Sequence, residues 1–145
     1  MPYNNYRMHL LRGEPSQLLG PHHFHPDKMR YELRRVWEVE ATPVPGARHM
    51  AKKKRFYLDE DTWLALAYEG WDHSDKLFRL LLSNGLPDYA HGGVIAGSSA
   101  QVYDFSKGQY AAVQLMLKDG YARYGQPFLS DSEMAPARMG ARGIR

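Results

Sequence analysis

The sequence contains no cysteine among its 145 residues, which excludes disulfide bonds and thiolate metal sites. No stretch is long and apolar enough to form a membrane-spanning helix. The chain also lacks a large excess of charge of either sign. Its 19 Lys and Arg residues are interleaved with 16 Asp and Glu residues, and the formal net charge is only +3. So mild and mixed a charge does not indicate nucleic acid as a partner.

Aromatic residues, in contrast, are plentiful: the chain has ten Tyr, five Phe and three Trp, which favour strands. From Met29 to Ala41, apolar and charged residues alternate, as is typical of a half-buried strand. Further strands are predicted at 48–58, 62–71 and 76–82, with a helix at Leu80–Leu82 as the alternative for the last of them. The sequence therefore predicts a mainly β fold with an antiparallel sheet.

Turns and irregular segments separate these strands. Gly108 predicts the turn of a hairpin over Val102–Tyr110, and the second strand of that hairpin is expected to continue to Met116. Residues 1–28 and 86–99 carry many Pro and Gly residues and predict long loops. We expect residues 1–28 to wrap over something outside this chain. A short C-terminal helix is predicted between Pro136 and Gly140.

A register test supports a three-stranded meander. If one turn pairs Thr42 with Ala47 and the next pairs Leu58 with Thr62, apolar side chains share one face and charged side chains share the other. The predicted apolar face holds Tyr31, Leu33, Trp37, Val39, Met50, Phe56, Leu58, Leu64, Leu66 and Tyr68. The predicted charged face holds Glu32, Arg34, Glu38, Glu40, His49, Lys53, Arg55 and Glu69, with Trp63 and Trp71.

The apolar face has two possible roles. It is either packed under helices or open as a ligand cavity, and the sequence leaves both alternatives open. For an open cavity, the predicted ligand contacts are Trp37, Val39, Met50, Phe56, Leu64, Leu66 and Tyr68. The cations Arg35, Lys52 and Lys54 fall on the same face and are predicted to lie at its rim, where they would meet an anionic head group.

Residues that could carry chemistry do not form a recognisable site. His22, His23 and His25 lack a fourth ligand at a suitable spacing for a structural metal. Asp59 and Asp61 belong to a predicted turn, where a carboxylate caps the backbone. No nucleophile is paired with a base. We therefore predict a protein that is not an enzyme, with no catalytic residue, no metal and no cofactor.

Several segments resemble a large proteobacterial family of unknown function whose members are often described as outer-membrane lipoprotein-sorting proteins. The resemblance covers nearly the whole chain, in order. It is carried by Pro2–Arg7, Pro26–Thr42, Arg48–His49, Lys54–Trp63, Tyr103–Asp104, Gly108–Tyr110 and Pro136–Arg145.

The resemblance implies a curved sheet forming an unclosed half-barrel around an apolar cavity, as in the lipoprotein carriers LolA and LolB. Family members are longer, so residues 1–145 would form a single domain that is the C-terminal fragment of a larger half-barrel. The family also implies a periplasmic location, although this chain carries no signal peptide and the fragment itself could remain cytoplasmic.

Two functions follow as hypotheses. The first is a periplasmic binding or accessory protein for lipid or lipoprotein-like cargo, whose implied partner is an exporter of the resistance–nodulation–division type or an outer-membrane component. The second is a non-catalytic structural or interaction module, in which helices or a partner protein cover the apolar sheet face.

Overall fold

The computed structural model describes residues 1–10, 15–88, 93–95, 99–115 and 130–136. The eight strands are β1 (Val36–Ala41), β2 (Lys53–Asp59), β3 (Ala65–Trp71), β4 (Leu77–Ser83), β5 (Leu86–Asp88), β6 (Gly93–Ile95), β7 (Ala100–Asp104) and β8 (Gln109–Val113). Two short helices are α1 (Tyr6–Leu10) and α2 (Asp131–Met134), and 3-10 turns lie at Pro15–Gln17 and Pro26–Lys28.

Six strands form one antiparallel sheet in the order β1-β2-β3-β4-β7-β8, and β5 pairs with β6 in a separate hairpin. Each strand of the sheet is hydrogen-bonded to its neighbour in this order, and β1 and β8 are the two edges. The sheet does not close into a barrel. The predicted fold class, mainly β with an unclosed antiparallel sheet and few helices, is confirmed.

The turns between strands follow the local chemistry of the sequence. Gly46 has a φ of 84° in the turn after β1, and Gly108 has a φ of 62° between β7 and β8. Both positions need a left-handed backbone, which glycine adopts without a steric penalty. Tyr103 lies opposite Tyr110 in the hairpin. The ring centroids of these two tyrosines are 5.7 Å apart, so that they form a cross-strand pair.

The N-terminal segment packs on this chain's own sheet, which corrects the expectation that it covers something outside the chain. Its buried side chains Met8, Leu18, Phe24 and Met29 form the main apolar cluster, and Tyr110 of β8 packs against them. This segment has no periodic pattern, so its partner could not be derived from the sequence. We call the sheet face under it, which bears Tyr110 and Ala112 of β8, the covered face.

Backbone and side-chain hydrogen bonds fix the N-terminal segment in place. The Asn5 amide donates to the Gly85 carbonyl at 3.0 Å. The Asn5 side-chain oxygen accepts from the Arg30 amide at 2.8 Å. The Tyr110 hydroxyl donates to the Gly20 carbonyl at 2.6 Å. The first and third of these bonds tie the segment to the sheet, just after β4 and at β8, and the second links two parts of the segment itself.

Three other predicted elements had different outcomes. The loop predicted at 86–99 contains the β5–β6 hairpin, so that prediction was wrong for this stretch. The second strand of the predicted hairpin ends at Val113, and Met116 lies outside the described residues. The helix predicted from Pro136 to Gly140 lies outside them except at Pro136, whereas α2 precedes it.

Candidate ligand-binding face

The sheet face opposite the N-terminal segment carries an apolar row that crosses all six strands. Each member of the row is paired directly with a residue of the adjacent strand, so each of the six strands contributes one side chain. Its members are Val39, Phe56, Tyr68, Leu81, Val102 and Ala111. We call this row the apolar row and the surface that bears it the open face. Its side chains are half-buried or exposed, and Val39 is 43% exposed.

Aromatic contacts extend the apolar row toward one end of β1 and β2. The rings of Phe56 and Tyr68 lie 5.1 Å apart between centroids. Trp37 precedes Val39 by two residues on the same face, is 53% exposed, and stacks on Trp63 at 6.4 Å with 11° between the ring planes. Two stacked, largely exposed indole rings on a sheet are an apolar surface of the kind that binds ligands or partners.

The position of Trp63 corrects the prediction that it lies with the charged residues. Trp63 has a φ of 60° in the turn before β3, and its amide donates to the Asp59 carbonyl at 2.9 Å. Simple alternation does not hold in such a turn, because a left-handed residue reverses the direction of the chain. The ring therefore reaches Trp37 on the open face. Trp71, in contrast, lies on the opposite face, as predicted.

The predicted ligand contacts separate into three groups. Trp37, Val39, Phe56 and Tyr68 lie together on the open face. Leu64 and Leu66 instead line a cavity closed by the N-terminal residues 2–4, and Leu66 is only 3% exposed. Met50 is 66% exposed in the loop before β2 and is not part of the sheet. Accordingly, only the first group is available to a ligand on the open face.

The predicted rim cations differ in whether a carboxylate already neutralises them. Arg35 is paired with Glu60, with 2.8 Å between Nε and Oε2. Lys52 is paired with Asp75, with 2.7 Å between Nζ and Oδ2. Within the described part of the chain, no carboxylate pairs with the third cation, Lys54. Lys54 is therefore the predicted rim cation whose charge is not already neutralised by a carboxylate.

The structure adds Arg79, which sequence reasoning missed. A second row, next to the apolar row, contains Ala41, Lys54, Gly70, Arg79, Asp104 and Gln109. We call it the polar row. Arg79 donates from Nη2 to Asp104 Oδ2 at 3.3 Å, and its Nε is buried without a hydrogen-bond partner among the described residues. The position of Arg79 two residues before Leu81 was a usable signal, but its place in the sheet could be found only from the pairing of β4 with β3 and β7.

The opposite face is charged where the N-terminal segment does not cover it. Arg55 pairs with Glu38 at 2.7 Å and with Glu40 at 3.3 Å. The Tyr57 hydroxyl donates to Glu69 at 2.8 Å, and partial burial together with this carboxylate raises the pKa of Tyr57. This half of the predicted charged face is confirmed. Its cations are already satisfied by carboxylates, which makes it a poor site for an anion.

A buried ion pair fixes the corner where the N-terminal segment meets β1 and β2. Asp59 is fully buried and accepts from Arg34 Nε at 2.8 Å and Nη2 at 3.0 Å. It also accepts from the Thr62 amide at 3.0 Å and the Thr62 hydroxyl at 2.7 Å. Burial alone would raise the pKa of Asp59, but the hydrogen bonds from Arg34 and Thr62 outweigh it and hold this pKa below its usual value.

Groups suited to metal binding are not assembled in the parts of the chain given above. There, no three His, Asp or Glu side chains converge closely enough to hold an ion. In the predicted histidine loop, His23 contacts the Phe24 carbonyl through Nδ1 at 2.7 Å. None of the helices that the structure describes has the length and apolar character to cross a membrane.

Comparisons with known proteins identify two similar proteins. The chain is 32% identical to the uncharacterized protein PA3922 of Pseudomonas aeruginosa over its whole length, and it spans 32% of the length of that relative. A crystal structure of a DUF1329 family protein from Desulfovibrio piger is similar at 21% identity with a TM-score of 0.46. That similarity covers 70% of this chain and 40% of the other.

The family model described as protein of unknown function (DUF1329) matches residues 1–139. This match includes nearly every segment that carried the resemblance noted from the sequence. The names of the relatives do not mention lipoprotein sorting, so that part of the resemblance stays a prediction. The chain belongs to the DUF1329 family.

Proposed function

We propose that the open face binds the apolar part of a lipid-like cargo and that the protein is a non-catalytic binding or accessory protein. The observation that carries the proposal is the apolar row. It runs through all six strands, from Val39 at one edge to Ala111 at the other. Removing a continuous apolar strip of this kind from water is favourable by about 25 cal/mol per Å² of buried surface.

The surroundings of the row support a ligand rather than an internal packing role. The buried cluster of the N-terminal segment packs against the other face, through Tyr110, so this main apolar cluster does not use the open face. Trp37 and Trp63 form a flat, exposed aromatic surface beside the row. Acyl chains bind to such surfaces through burial of CH₂ groups, and aromatic rings provide large contact areas with little loss of side-chain entropy.

The cellular setting belongs to the same proposal and rests on the family resemblance alone. We propose a periplasmic location in a LolA-like half-barrel. The proposed partner is an exporter of the resistance–nodulation–division type or an outer-membrane component.

Binding of a neutral fluorescent probe tests the proposal. N-phenyl-1-naphthylamine should bind in a saturable manner, with increased emission. Val39→Asp should weaken this binding by about tenfold, because a carboxylate would be desolvated by the ligand. Val44→Asp is the matched control, since Val44 is 72% exposed but lies in the loop after β1. Lack of saturable binding, or equal effects of the two variants in folded protein, would contradict the proposal.

A second candidate is an interaction module whose open face is covered by protein. The observation that favours it is length: the chain spans 32% of its Pseudomonas relative, so a longer protein has other segments that could cover this face. If this candidate is right, the probe should not bind to a longer homologue until those segments are removed. The cargo proposal predicts binding in both forms.

A further inference from the structure

We propose that Lys54 and Arg79 form the binding site for an anionic head group, so that the cargo is an anionic amphiphile bearing a carboxylate or phosphate. This inference rests on the proposed function, because it adds a head-group site to the apolar row. Lys54 and Arg79 lie in the polar row on the two sides of Gly70. The polar row is the next row of the same face, so one ligand can contact both rows.

The spacing of the two cations suits a single anion. Lys54 is on β2 and Arg79 is on β4, with only Gly70 of β3 between them. Two strand spacings separate their backbones by roughly 10 Å. Both side chains have long flexible stems, so their charged ends can reach over the Tyr68 phenol that covers this glycine. A carboxylate or phosphate placed there would receive donors from both sides.

The close packing above Gly70 places a further donor beside the two cations. A Cβ atom at Gly70 would lie 2.8 Å from the Tyr68 hydroxyl and 3.3 Å from the Phe78 ring. The phenol of Tyr68 therefore occupies the space above Gly70, between the two cations. Among the described residues, none is hydrogen-bonded to this hydroxyl. It can donate to an anion while its ring stays in the apolar row.

The charge of the polar row favours an anion. Its two cations face a single carboxylate, Asp104, which Arg79 contacts through one nitrogen at 3.3 Å. A guanidinium has five N–H donors, so this contact leaves Arg79 with donors for a second acceptor. Arg35 and Lys52, the other predicted rim cations, lie outside the strands and are paired with Glu60 and Asp75 at shorter distances, 2.8 and 2.7 Å. Lys54 and Arg79 are therefore the better head-group residues.

Displacement of N-phenyl-1-naphthylamine from the folded chain tests the inference. Laurate and dodecyl phosphate should displace the probe about two- to fivefold more strongly than neutral monolauroylglycerol, the size of effect that one exposed ion pair gives. Added salt should reduce this preference. Inorganic phosphate should compete far more weakly than dodecyl phosphate. Equal displacement by charged and neutral ligands, or competition by phosphate as strong as by dodecyl phosphate, would overturn the inference.

Variants then assign the preference to residues. Lys54→Met and Arg79→Met should each remove most of the preference for laurate, whereas Arg79→Lys should retain it. Lys53→Met is the matched control, because Lys53 is the adjacent residue of β2 on the opposite face, where it pairs with Glu40. Normal probe binding with a preference unchanged in Lys54→Met and Arg79→Met would reject the head-group site but keep the proposed function. Absence of saturable probe binding to the wild-type chain would reject both the head-group site and the proposed function.

Discussion

Arg34 donates hydrogen bonds to the Asp59 carboxylate from two nitrogens, at 2.8 and 3.0 Å. These bonds join the extended segment before β1 to the end of β2. The guanidinium also lies 4.2 Å from the centre of the Tyr3 ring. One cation therefore connects the N-terminal segment, the sheet edge and the turn before β3. Because Asp59 is fully buried, this pair is more important for stability than the exposed ion pairs of the protein.

Replacing Asp59 should destabilise the protein strongly. Asp59→Asn removes a buried charge and leaves Arg34 with only the exposed carboxylate of Asp61, for which we expect a loss of about 3 kcal/mol in the free energy of unfolding. Chemical unfolding in urea measures it. Asp61→Asn is the matched control, because Asp61 also contacts Arg34, at 2.6 Å, but its side chain is 69% exposed. We expect the control to change stability by less than about 0.5 kcal/mol; equal losses would contradict the argument.

The same carboxylate should make stability depend on acid pH. The pKa of Asp59 is lowered in the folded protein, so folding favours the ionised form. This contribution is fully present above the unfolded value of 3.8 and is lost as the pH falls through the lower folded value. Urea midpoints between pH 6 and pH 2 should fall more steeply for the wild type than for Asp59→Asn. Parallel curves would show that another group controls acid unfolding.

Part of this architecture could be predicted from the sequence, because each predicted strand register was wrong by an even number of residues. Val39 was predicted opposite Met50, yet it lies opposite Phe56. Phe56 was predicted opposite Leu64, yet it lies opposite Tyr68. A shift by an even number of residues keeps each side chain on its face, so Trp37, Val39, Phe56 and Tyr68 still share one surface.

The remaining features depend on information that alternation does not contain. Irregular pairing at Tyr57/Leu58 and at Gly70/Trp71 changes the register within β2–β3 and β3–β4. The pairing of β4 with β7 brings together strands separated by the β5–β6 hairpin, and only this pairing places Asp104 beside Arg79. The left-handed turn at Trp63 moved that ring to the open face. Each of these is a long-range or backbone effect.

The close contact at Gly70 gives a test of the open-face geometry. Gly70→Ala would place a methyl group 2.8 Å from the Tyr68 hydroxyl, so the ring must move, and overpacking of this kind costs about 1–3 kcal/mol. In the Tyr68→Phe background the hydroxyl is gone, and the same change should cost at least about 1 kcal/mol less. Urea unfolding of the four proteins in this double-mutant cycle measures the difference. Additive effects would place the Tyr68 hydroxyl elsewhere.

The N-terminal segment should loosen when its hydrogen bond to β8 is removed. Tyr110→Phe deletes the 2.6 Å bond to the Gly20 carbonyl, and we expect a loss of about 1 kcal/mol in stability. Amide hydrogen exchange should increase at residues 18–25 more than in β2 and β3. Tyr6→Phe is the control, since Tyr6 lies in α1 of the same segment and is 40% exposed. Faster exchange in the control to the same extent would contradict a specific role for the Tyr110 hydroxyl.

Removing the one carboxylate of the polar row should strengthen binding of an anionic ligand. Asp104→Asn would free Arg79 from its ion pair and raise the positive charge around Gly70, so laurate should bind about three- to fivefold more tightly. Asp75→Asn is the matched control, because it frees Lys52, a cation outside the strands, from a similar ion pair. The control should change laurate affinity less than about twofold. Monolauroylglycerol should bind both variants like the wild type. If Asp75→Asn had the larger effect, the anion would bind beside Lys52, and the polar row would not be its site.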